Sequence, residues 1–408
     1  MLHVLIVHDG EGGLRGAERV VLDLVGGFPP GAARFSLLTC QEALAAAFRV
    51  RGLEATCAPF PAPPGEASVA AALSGAVRQA ALLVRMLRRG GVDLVHVNNG
   101  GASLWAALAG WWCGVPVIAH LHSSLSARTR FRLGIDLADR IVTVSRSVAA
   151  VSTALPEVAP RVRVIHNGVI AGPARLGADD PARAAARAGL GLGAGQVAVA
   201  TVGLLNAAKR IDVAIAAQGQ LQAASPGRFV LLVIGDGPER AALERQAAGL
   251  DVLFLGWRDD VPALLREVAD LYVLPSETEA FNLTLLEAAA AGLPRVATAV
   301  GGNGESVRDG EDGFLVPVGD PAALAVAIAR LADEPGLAAA FGEAGRRRVL
   351  EAFTPERFVD AFRALYVEVA AERRGRAGRI ATAVRVVVGH LRRRRAARAA
   401  ARLQLGQP

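Results

Sequence analysis

Residues 274–304 read LPSETEAFNLTLLEAAAAGLPRVATAVGGNG, and this stretch indicates the fold of the chain. An apolar strand is predicted over 270–274, a short polar loop follows it, and a helix is predicted to begin near Asn282. A second run rich in β-branched residues, 294–298, comes after the helix. Strand, loop, helix and strand in this order are typical of a parallel α/β sheet.

Two glutamates flank the start of the predicted helix. Glu279 lies in the loop, and Glu287 lies eight residues later, inside the helix. A helix N-terminus presents free N–H groups and a positive dipole end, which suit a diphosphate. The two carboxylates would then hold hydroxyl groups, as on a sugar and a ribose. Isolated glutamates at such positions are more often solvated charges. The rest of the sequence is therefore needed to distinguish a ligand site from two solvated glutamates.

In the rest of the chain, strands alternate with helices in two separate stretches of the sequence. Its 408 residues are too many for one core, and 52% of them are hydrophobic. Strands are predicted over 2–7, 34–39, 54–59, 94–97, 115–119, 140–144, 162–165, 197–202, 229–234 and 252–255. Helices are predicted over 17–25, 67–89, 103–112, 147–155, 211–224, 238–248, 262–268 and 355–371. We therefore expect an α/β protein with two Rossmann-like doubly wound domains that face each other across a cleft.

Composition places the domain boundaries. A Gly-, Pro- and Ala-rich segment separates two stretches of regular alternation. The predicted parts are an N-terminal domain (1–171), a linker (172–195), a C-terminal domain (196–352), a last helical segment (353–371) and a basic tail (372–408).

The positive charge of the chain is concentrated in the tail. Residues 372–408 hold eleven arginines and one glutamate, or +10, so the net +7 leaves 7 − 10 = −3 for residues 1–371. The body is therefore not a typical nucleic-acid binder. The tail is either a basic amphipathic helix on an anionic membrane surface or a solvated extension.

The remaining composition favours a cytoplasmic protein. Three cysteines are too few and too scattered for a disulfide framework or a metal site. The first ten residues do not read as a signal peptide. Residues 100–119 carry no formal charge and are long enough to span a bilayer, but their glycines and Pro116 favour a helix, a stop and a strand.

Lys209 is the one lysine in the chain, against 44 arginines. It follows Gly203, which ends the first strand of the second domain. A glycine there and a cation before the next helix are how an α/β sheet holds phosphate. A compact ammonium is thus preferred to a planar guanidinium at this position. A lone lysine on a solvated helix end is the alternative. The turn 235–238, GDGP, is explained by chain reversal alone.

In the first domain, a glycine-rich loop (8–18) follows the first strand and lets a ligand approach the backbone. Its spacing is not that of a dinucleotide-binding loop. His120 and His122 follow a predicted strand, where one histidine faces the sheet and the other stands at its carboxyl end. No carboxylate or cysteine accompanies the pair, so a metal site is not predicted.

Taken in order, these motifs resemble the retaining GT-B glycosyltransferases of family 4 over about residues 1–370. The motifs are GAE at 16–18, His122, VG at 202–203 with Lys209, GDGP at 235–238, and EAFNLTLLE at 279–287, which matches the family's Glu-x7-Glu pattern. Further matches are VDLVH at 92–96, ADRIVTVS at 138–145 and HNGV at 166–169.

The resemblance implies that the first domain binds the acceptor, that the second binds the nucleotide-sugar, and that the helix 353–371 crosses back to the first domain. It also implies site residues and no metal or other cofactor. The catalytic residues it implies are His122, Glu279 and Lys209. The donor-binding residues it implies are Gly16, Gly203, Lys209, Arg210, Phe281, Asn282, Leu283 and Glu287. Lys209 would contact the diphosphate, Glu287 the ribose, and Glu279 and His122 the transferred sugar.

The chain departs from the family pattern at several of these positions. Leu204 replaces an expected phosphate-binding arginine, and Arg210 replaces a glycine. Ala280 and Asn282 replace two glycines beside the sugar, and Arg15 replaces the first of two glycines. One lost phosphate cation costs about 1–3 kcal/mol of donor binding.

The sequence thus predicts a retaining hexosyltransferase that moves a sugar from a UDP- or GDP-sugar to an acceptor hydroxyl. We expect it in cell-surface polysaccharide or glycolipid synthesis, in the cytoplasm or peripherally at the inner face of the plasma membrane. The acceptor would be a carbohydrate or a lipid-linked sugar, and residues 373–408 would meet the membrane. Alternatives are a non-catalytic nucleotide- or sugar-binding protein, a nucleotide-sugar epimerase and a phosphorylase.

Overall fold

The computed structural model describes residues 1–10, 13–14, 16–60, 69–372, 378, 381–382 and 384–393, with the backbone alone for 69–77. Two compact units emerge. The first contains Met1–His166 and the chain from Phe358 onward, and the second contains Asn167–Arg357. Each unit has its own parallel sheet.

The first unit has a seven-stranded sheet. Its strands are β1 (Leu2–His8), β2 (Ala33–Thr39), β3 (Glu54–Cys57), β4 (Leu94–Asn98), β5 (Val117–Leu121), β6 (Arg140–Thr143) and β7 (Val162–Val164). Its helices are α1 (Gly16–Gly27), α2 (Glu42–Val50), α3 (Val69–Arg89), α4 (Ser103–Cys113), α5 (Ala127–Arg132) and α6 (Arg146–Thr153).

The second unit has a six-stranded sheet. Its strands are β8 (Val197–Val202), β9 (Phe229–Ile234), β10 (Val252–Gly256), β11 (Leu271–Leu274), β12 (Arg295–Thr298) and β13 (Phe314–Val316). Its helices are α7 (Pro181–Gly189), α8 (Ile211–Ala224), α9 (Arg240–Gln246), α10 (Val261–Glu267), α11 (Leu283–Ala290), α12 (Asn303–Ser306), α13 (Pro321–Asp333) and α14 (Pro335–Ala352). Helix α15 (Pro355–Ala371) begins in the second unit and continues in the first.

Both sheets follow the doubly wound strand order. The order is β3-β2-β1-β4-β5-β6-β7 in the first sheet and β10-β9-β8-β11-β12-β13 in the second. In each sheet the winding direction reverses beside the first strand, between β1 and β4 and between β8 and β11. Ligands of open α/β sheets bind at the carboxyl ends of the strands at this switch point.

Each strand of the second sheet contributes to two cores because both faces are covered. Leu271 and Val273 of β11 lie in one buried cluster, and Tyr272 and Leu274 lie in the other. Successive side chains of a strand point to opposite faces, and helices cover both. This explains why these strands read as continuous apolar runs in the sequence.

The segment 172–195, predicted to be a linker, is built into the second unit. Asp180 accepts a hydrogen bond from the N–H group of Ala182, and Pro181 occupies the first turn of α7. Arg183 and Arg187 donate to the carboxylate of Asp270, over 2.6 and 2.9 Å. These bonds fix α7 to the residue that precedes β11.

Strand β5 extends to Leu121, two residues beyond its predicted end. The reason is that the ladder continues: His120 is paired with Asn98 of β4, and Leu121 with Thr143 of β6. His120 is therefore a buried residue of the strand, and His122 follows its end.

The uncharged stretch 100–119 forms α4, a turn and the start of β5. The carboxyl end of α4 is closed by Gly114, which adopts a left-handed conformation with φ of 77°. In the described part of the chain, no helix combines the length and the apolarity that crossing a membrane requires.

Candidate active site

The loop between β11 and α11 lies at the switch point of the second sheet and is organised around Glu279. Its Oε1 atom accepts hydrogen bonds from Lys209 Nζ at 2.6 Å, Ser276 Oγ at 2.8 Å and Asn282 Nδ2 at 3.1 Å. We call Lys209, Ser276, Glu279 and Asn282 the Glu279 cluster. Three donors, one of them an ammonium, stabilise the charged carboxylate and fix its direction.

The backbone of this loop is held by the segment after β12. The N–H group of Gly302 donates to the carbonyl of Glu279 over 3.1 Å. Gly301 has φ of +50°, and a Cβ there would lie 1.7 Å from the same carbonyl oxygen. Only glycine permits this approach. The GG pair of the opening sequence therefore fixes the position of the Glu279 carbonyl.

Asn282 connects the cluster to the start of α11. Its Oδ1 atom accepts from the N–H group of Leu285 over 2.9 Å, which makes it the N-cap, while its Nδ2 atom donates to Glu279. Thr284 donates to the same Oδ1 atom at 2.7 Å. Leu283 is the first residue of the helix, as predicted from the sequence.

Lys209 ends a 3₁₀ turn that Asn206 caps through a hydrogen bond to the Lys209 N–H group over 3.2 Å. The ammonium of Lys209 has three donors, and it gives one of them to Glu279. The side chain is 22% exposed, so it is not fully buried. The cation predicted from the sequence is thus held against the predicted sugar ligand.

The guanidinium of Arg210 pairs with Asp212. Its Nε and Nη2 atoms donate to Asp212, each over 3.0 Å. Its backbone is left-handed, with φ of 48°, a conformation that favours glycine. The structure therefore explains why a glycine is usual at this position.

Glu287 and Phe281 are both buried near the Glu279 cluster. Glu287 lies on the second turn of α11. Both glutamates act on Tyr272 of β11. Burial raises the pKa of Tyr272 well above its usual value, and the charges of Glu279 and Glu287 raise it further. Phe281 packs against Phe353, with ring centroids 5.6 Å apart.

Gly203 lies at the end of β8 and is covered by the turn after β9. A Cβ on Gly235 would lie 1.9 Å from the carbonyl oxygen of Gly203. The N–H group of Leu205 donates to the carbonyl of Asp236 over 3.0 Å. The GDGP turn therefore supports the loop that leads to Lys209, although it was expected only to reverse the chain.

A second polar group lies at the switch point of the first sheet, and we call it the His122 cluster. It consists of His8, Glu18, Asn98, His120 and His122. His8 ends β1 and Asn98 ends β4, and the two residues are paired in the ladder. The rings of His120 and His122 are 4.2 Å apart between centroids. Five polar side chains are thus gathered where a doubly wound sheet binds ligands.

Burial keeps His96, His120 and His122 neutral. It lowers the pKa of His122 to about 3, with His8 lowering it further and Glu18 opposing the shift. Burial and His122 lower the pKa of His96, in β4, to about 3. Burial, followed by the neighbouring His122 and His96, lowers the pKa of His120 as well.

Gly16 is exposed and is the first residue of α1. Glu11, Gly12 and Arg15 of the predicted glycine-rich loop lie outside the described residues. Gly10 of this loop is described, and a Cβ there would lie 2.5 Å from His8 Nε2 and 2.9 Å from Glu18 Oε1. The loop therefore needs a glycine at position 10 because a side chain would displace the His122 cluster.

Sequence reasoning identified Lys209, Glu279 and His122 but missed several of the side chains that hold them. Ser276, Tyr272 and Asn98 were not singled out, and Asn282 was expected to act through its backbone. These side chains follow or lie within strands that look purely apolar in sequence. The signal that could have found them is position, because each stands in or next to a strand beside a switch point.

Two family models match the chain. Residues 14–171 match the model described as Glycosyltransferase Family 4, and residues 196–334 match the model described as Glycosyl transferases group 1. The matched ranges contain His122 and the whole Glu279 cluster, respectively.

Two proteins of known name are similar to this chain. D-inositol 3-phosphate glycosyltransferase of Saccharomonospora viridis is 32% identical over 322 residues, which are 71% of this chain and 73% of that protein. N-acetyl-alpha-D-glucosaminyl L-malate synthase of Bacillus anthracis is 39% identical over 143 residues, 34% of this chain and only 37% of that protein.

A solved structure shares the fold. The structure of HepE from Anabaena in complex with UDP has a TM-score of 0.75 and 22% identity, and it covers 90% of this chain and 100% of that one. Its similarity extends over the two parallel-sheet units described above. The two family models and the similarity to the Saccharomonospora viridis protein show that the chain belongs to the family 4 glycosyltransferases, and its fold is GT-B.

Proposed function

We propose that this glycosyltransferase transfers a hexose from a UDP- or GDP-sugar to an acceptor hydroxyl, with retention at the anomeric carbon. The observation that carries the proposal is the Glu279 cluster, in which a carboxylate and the chain's one lysine meet at the start of α11. Solved structures of the Anabaena protein HepE contain UDP and UDP-glucose, which supports a nucleotide-sugar donor here.

The donor diphosphate would lie between Lys209 and the N-terminus of α11. Among the residues that the structure describes, the ammonium gives one N–H donor to Glu279, so two remain for the diphosphate. The first turn of the helix adds backbone N–H groups and its dipole. These groups would stabilise the charge that develops on the leaving diphosphate. Departure of the leaving group would then require no metal ion.

Glu279 would hold the sugar and Glu287 the ribose. Within the described residues, the three side-chain bonds to Glu279 go to Oε1, which leaves Oε2 to accept from sugar hydroxyls. The ammonium and the two neutral donors on Oε1 stabilise the charge of the whole carboxylate, which makes Glu279 a weak nucleophile through either oxygen. This favours attack of the acceptor on the same face that the diphosphate leaves, over a covalent intermediate on Glu279.

Nucleotide release from UDP- and GDP-sugars tests the donor site. Lys209→Ala is expected to lower kcat/KM by roughly 10²–10³-fold because it removes a charge-stabilising donor. Glu287→Ala is expected to raise the donor KM. Glu277→Ala, in the same loop but exposed, is the matched control and should stay within about twofold of the wild type.

Unchanged rates in both Lys209→Ala and Glu287→Ala would overturn the site assignment. Donor binding without release of nucleotide, across a panel of acceptors, would favour a binding protein instead. The anomeric configuration of the product, read by NMR, tests retention separately.

We also propose that the acceptor is presented at an anionic membrane surface by the described part of the tail. Residues 384–393 are helical. Their exposed apolar side chains, Val384, Val387, Val388 and Leu391, are spaced i, i+3, i+4 and i+7 and therefore form one stripe.

The opposite face of this helix is fixed to the first unit. His390 stacks on Phe131 with ring centroids 3.8 Å apart, Arg393 pairs with Glu157 over 2.6 Å, and Val386 is buried. The apolar stripe is thus held outward while eleven arginines of residues 372–408 supply positive charge. An outward apolar stripe flanked by arginines fits the surface of an anionic bilayer.

Co-sedimentation with vesicles containing phosphatidylglycerol tests this partner. Val387→Glu with Leu391→Glu is expected to lower vesicle binding at least tenfold. Val326→Glu in α13, also an exposed valine, is the control and should bind normally. Equal binding of the double variant and the control would refute the membrane role.

The three cysteines are free thiols, which supports a location on the cytoplasmic side.

A further inference from the structure

A continuous chain of hydrogen bonds runs behind His122 in the first unit. Glu18 Oε1 lies 2.9 Å from His8 Nε2, and His8 Nδ1 lies 3.0 Å from Asn98 Nδ2. Asn98 Oδ1 lies 2.7 Å from His122 Nε2. His8, Glu18 and Asn98 are buried. Each of these four hydrogen-bonded residues therefore affects the position of the proton on the next one.

The amide of Asn98 can take only one orientation in this chain. Its Nδ2 atom lies 3.3 Å from the backbone carbonyl of Ala17, which can only accept. The NH₂ group must therefore face Ala17 and His8, and the amide oxygen must face His122. Since that oxygen only accepts, the proton between Asn98 and His122 belongs to Nε2 of His122.

The other end of the chain imposes the same direction. Gln41 Nε2 donates over 3.1 Å to the Glu18 oxygen that also contacts His8. An ionised carboxylate accepts both bonds, so His8 carries its proton on Nε2 and accepts from Asn98 with Nδ1. Two acceptors of fixed character, a backbone carbonyl and a carboxylate, thus give one set of proton positions.

We propose that Asn98, His8 and Glu18 are positioning residues that hold His122 as the Nε2–H tautomer, with Nδ1 as a hydrogen-bond acceptor for a hydroxyl group. The role of the hydroxyl rests on the proposed function together with the family resemblance, which implies that His122 contacts the transferred sugar. A neutral ring with one bare nitrogen orients a hydroxyl by accepting its proton, whereas an imidazolium or the other tautomer would not.

Histidine ¹⁵N NMR tests the proton positions without any substrate. In protein labelled on its seven histidines, the His122 ring is assigned by its loss in His122→Gln. At pH 7 we expect a protonated Nε2 and an unprotonated Nδ1. A protonated Nδ1 in the wild-type protein would overturn the proposal, and the only variant that must fold for this measurement is His122→Gln, which serves the assignment.

Variants of the hydrogen-bonded residues behind His122 test which of them impose its tautomer. Asn98→Ala is expected to give a mixture of both His122 tautomers, and Glu18→Gln a smaller shift in the same direction. Thr143→Val changes a buried polar residue at the end of β6 and should leave the His122 spectrum unchanged. A pure Nε2–H tautomer in a folded Asn98→Ala protein would show that Asn98 does not position the ring.

Transfer assays separate this proposal from the proposed function. With an active donor, Asn98→Ala is expected to lower kcat by roughly ten- to hundredfold with little change in donor KM, since orientation and not binding is lost. If the wild-type protein transfers no sugar from any donor, the proposed function fails while the NMR result still decides the tautomer. Normal kcat in Asn98→Ala would remove the positioning role.

Discussion

Asn282 illustrates how one side chain decides the local geometry of the site. It caps α11 with Oδ1 and donates to Glu279 with Nδ2. A glycine, as the resemblance led us to expect there, could cap the helix but could not donate to the carboxylate. The asparagine therefore ties the direction of Glu279 to the first turn of the helix.

Gly301 is the residue whose replacement should most disturb this loop. Gly301→Ala would place a Cβ 1.7 Å from the Glu279 carbonyl oxygen at a φ of +50°. The left-handed conformation alone costs about 1–3 kcal/mol for a residue other than glycine. We expect a lower urea midpoint together with weaker binding of the donor, measured by denaturation and calorimetry.

Gly304→Ala is the control for this change. Its Cβ would make an ordinary contact, 3.9 Å from Leu315 Cδ1. We expect stability and donor affinity close to the wild type. Comparable losses in both variants would show that the carbonyl contact at Gly301 does not support the site.

At the scale of elements, α15 shows what attaches a long helix to the first unit. Tyr366 lies with its hydroxyl 2.5 Å from His96 Nδ1, and Phe362 stacks on the same histidine at 5.3 Å. Arg140, a buried residue of β6, donates to Glu368 over 2.7 Å. The carboxyl half of α15 is thus held by buried polar contacts as well as by apolar packing.

Arg140→Ala should loosen this half of α15. The change removes a buried guanidinium that also donates to Glu372 at 2.5 Å, and a charged hydrogen bond of this kind contributes about 1–3 kcal/mol. We expect faster amide hydrogen exchange over residues 364–371.

Arg163→Ala provides the matched control for Arg140→Ala. Arg163 is 43% exposed and lies 3.6 Å from the same Glu368, so its loss should change exchange little. If both variants exchange alike, burial of Arg140 is not what fixes the helix.

The sequence predicted most elements within about two residues, and the failures have physical reasons. Strands β8 and β9 and helices α8 and α15 form as predicted because their apolar patterns and caps are strong. Helices α2, α5, α12, α13 and α14 and strand β13 were not predicted. Helix α7 was missed because its fixation depends on Asp270, which is far away in the sequence.

At the scale of the whole molecule, the histidines divide the two units. Residues 167–357, the second unit, contain none of the seven histidines. His96, His120 and His122 lie in the first unit, and burial is the first cause that lowers the pKa of each. The two units should therefore respond differently to mild acid.

We expect the first unit to lose stability as the pH falls from 7.5 to 5.5. In the unfolded state a histidine with a pKa near 6.5 binds a proton that His96, with a pKa of about 3, does not bind when folded. Stability is thus fully present above pH 6.5 and decreases below it, by about 1.4 kcal/mol per buried neutral histidine at pH 5.5.

Segment-resolved hydrogen exchange across this pH range measures the difference, after correction for the intrinsic pH dependence of exchange. Segments of the second unit are the internal control and should keep their protection. Equal losses in both units, or none in the first, would contradict the view that the buried histidines stay neutral.

The sequence by itself determined the two α/β units and the family, because apolar periodicity and short motifs are local. For the same reason it singled out Lys209, Glu279 and His122 as candidate site residues. It could not determine that Asn282 and Ser276 direct Glu279, or that Asn98, His8 and Glu18 lie behind His122. Those contacts join residues brought together only when parallel strands align their carboxyl ends at a switch point. Tertiary structure decided the direction of each hydrogen bond, since that depends on which acceptor each side chain meets.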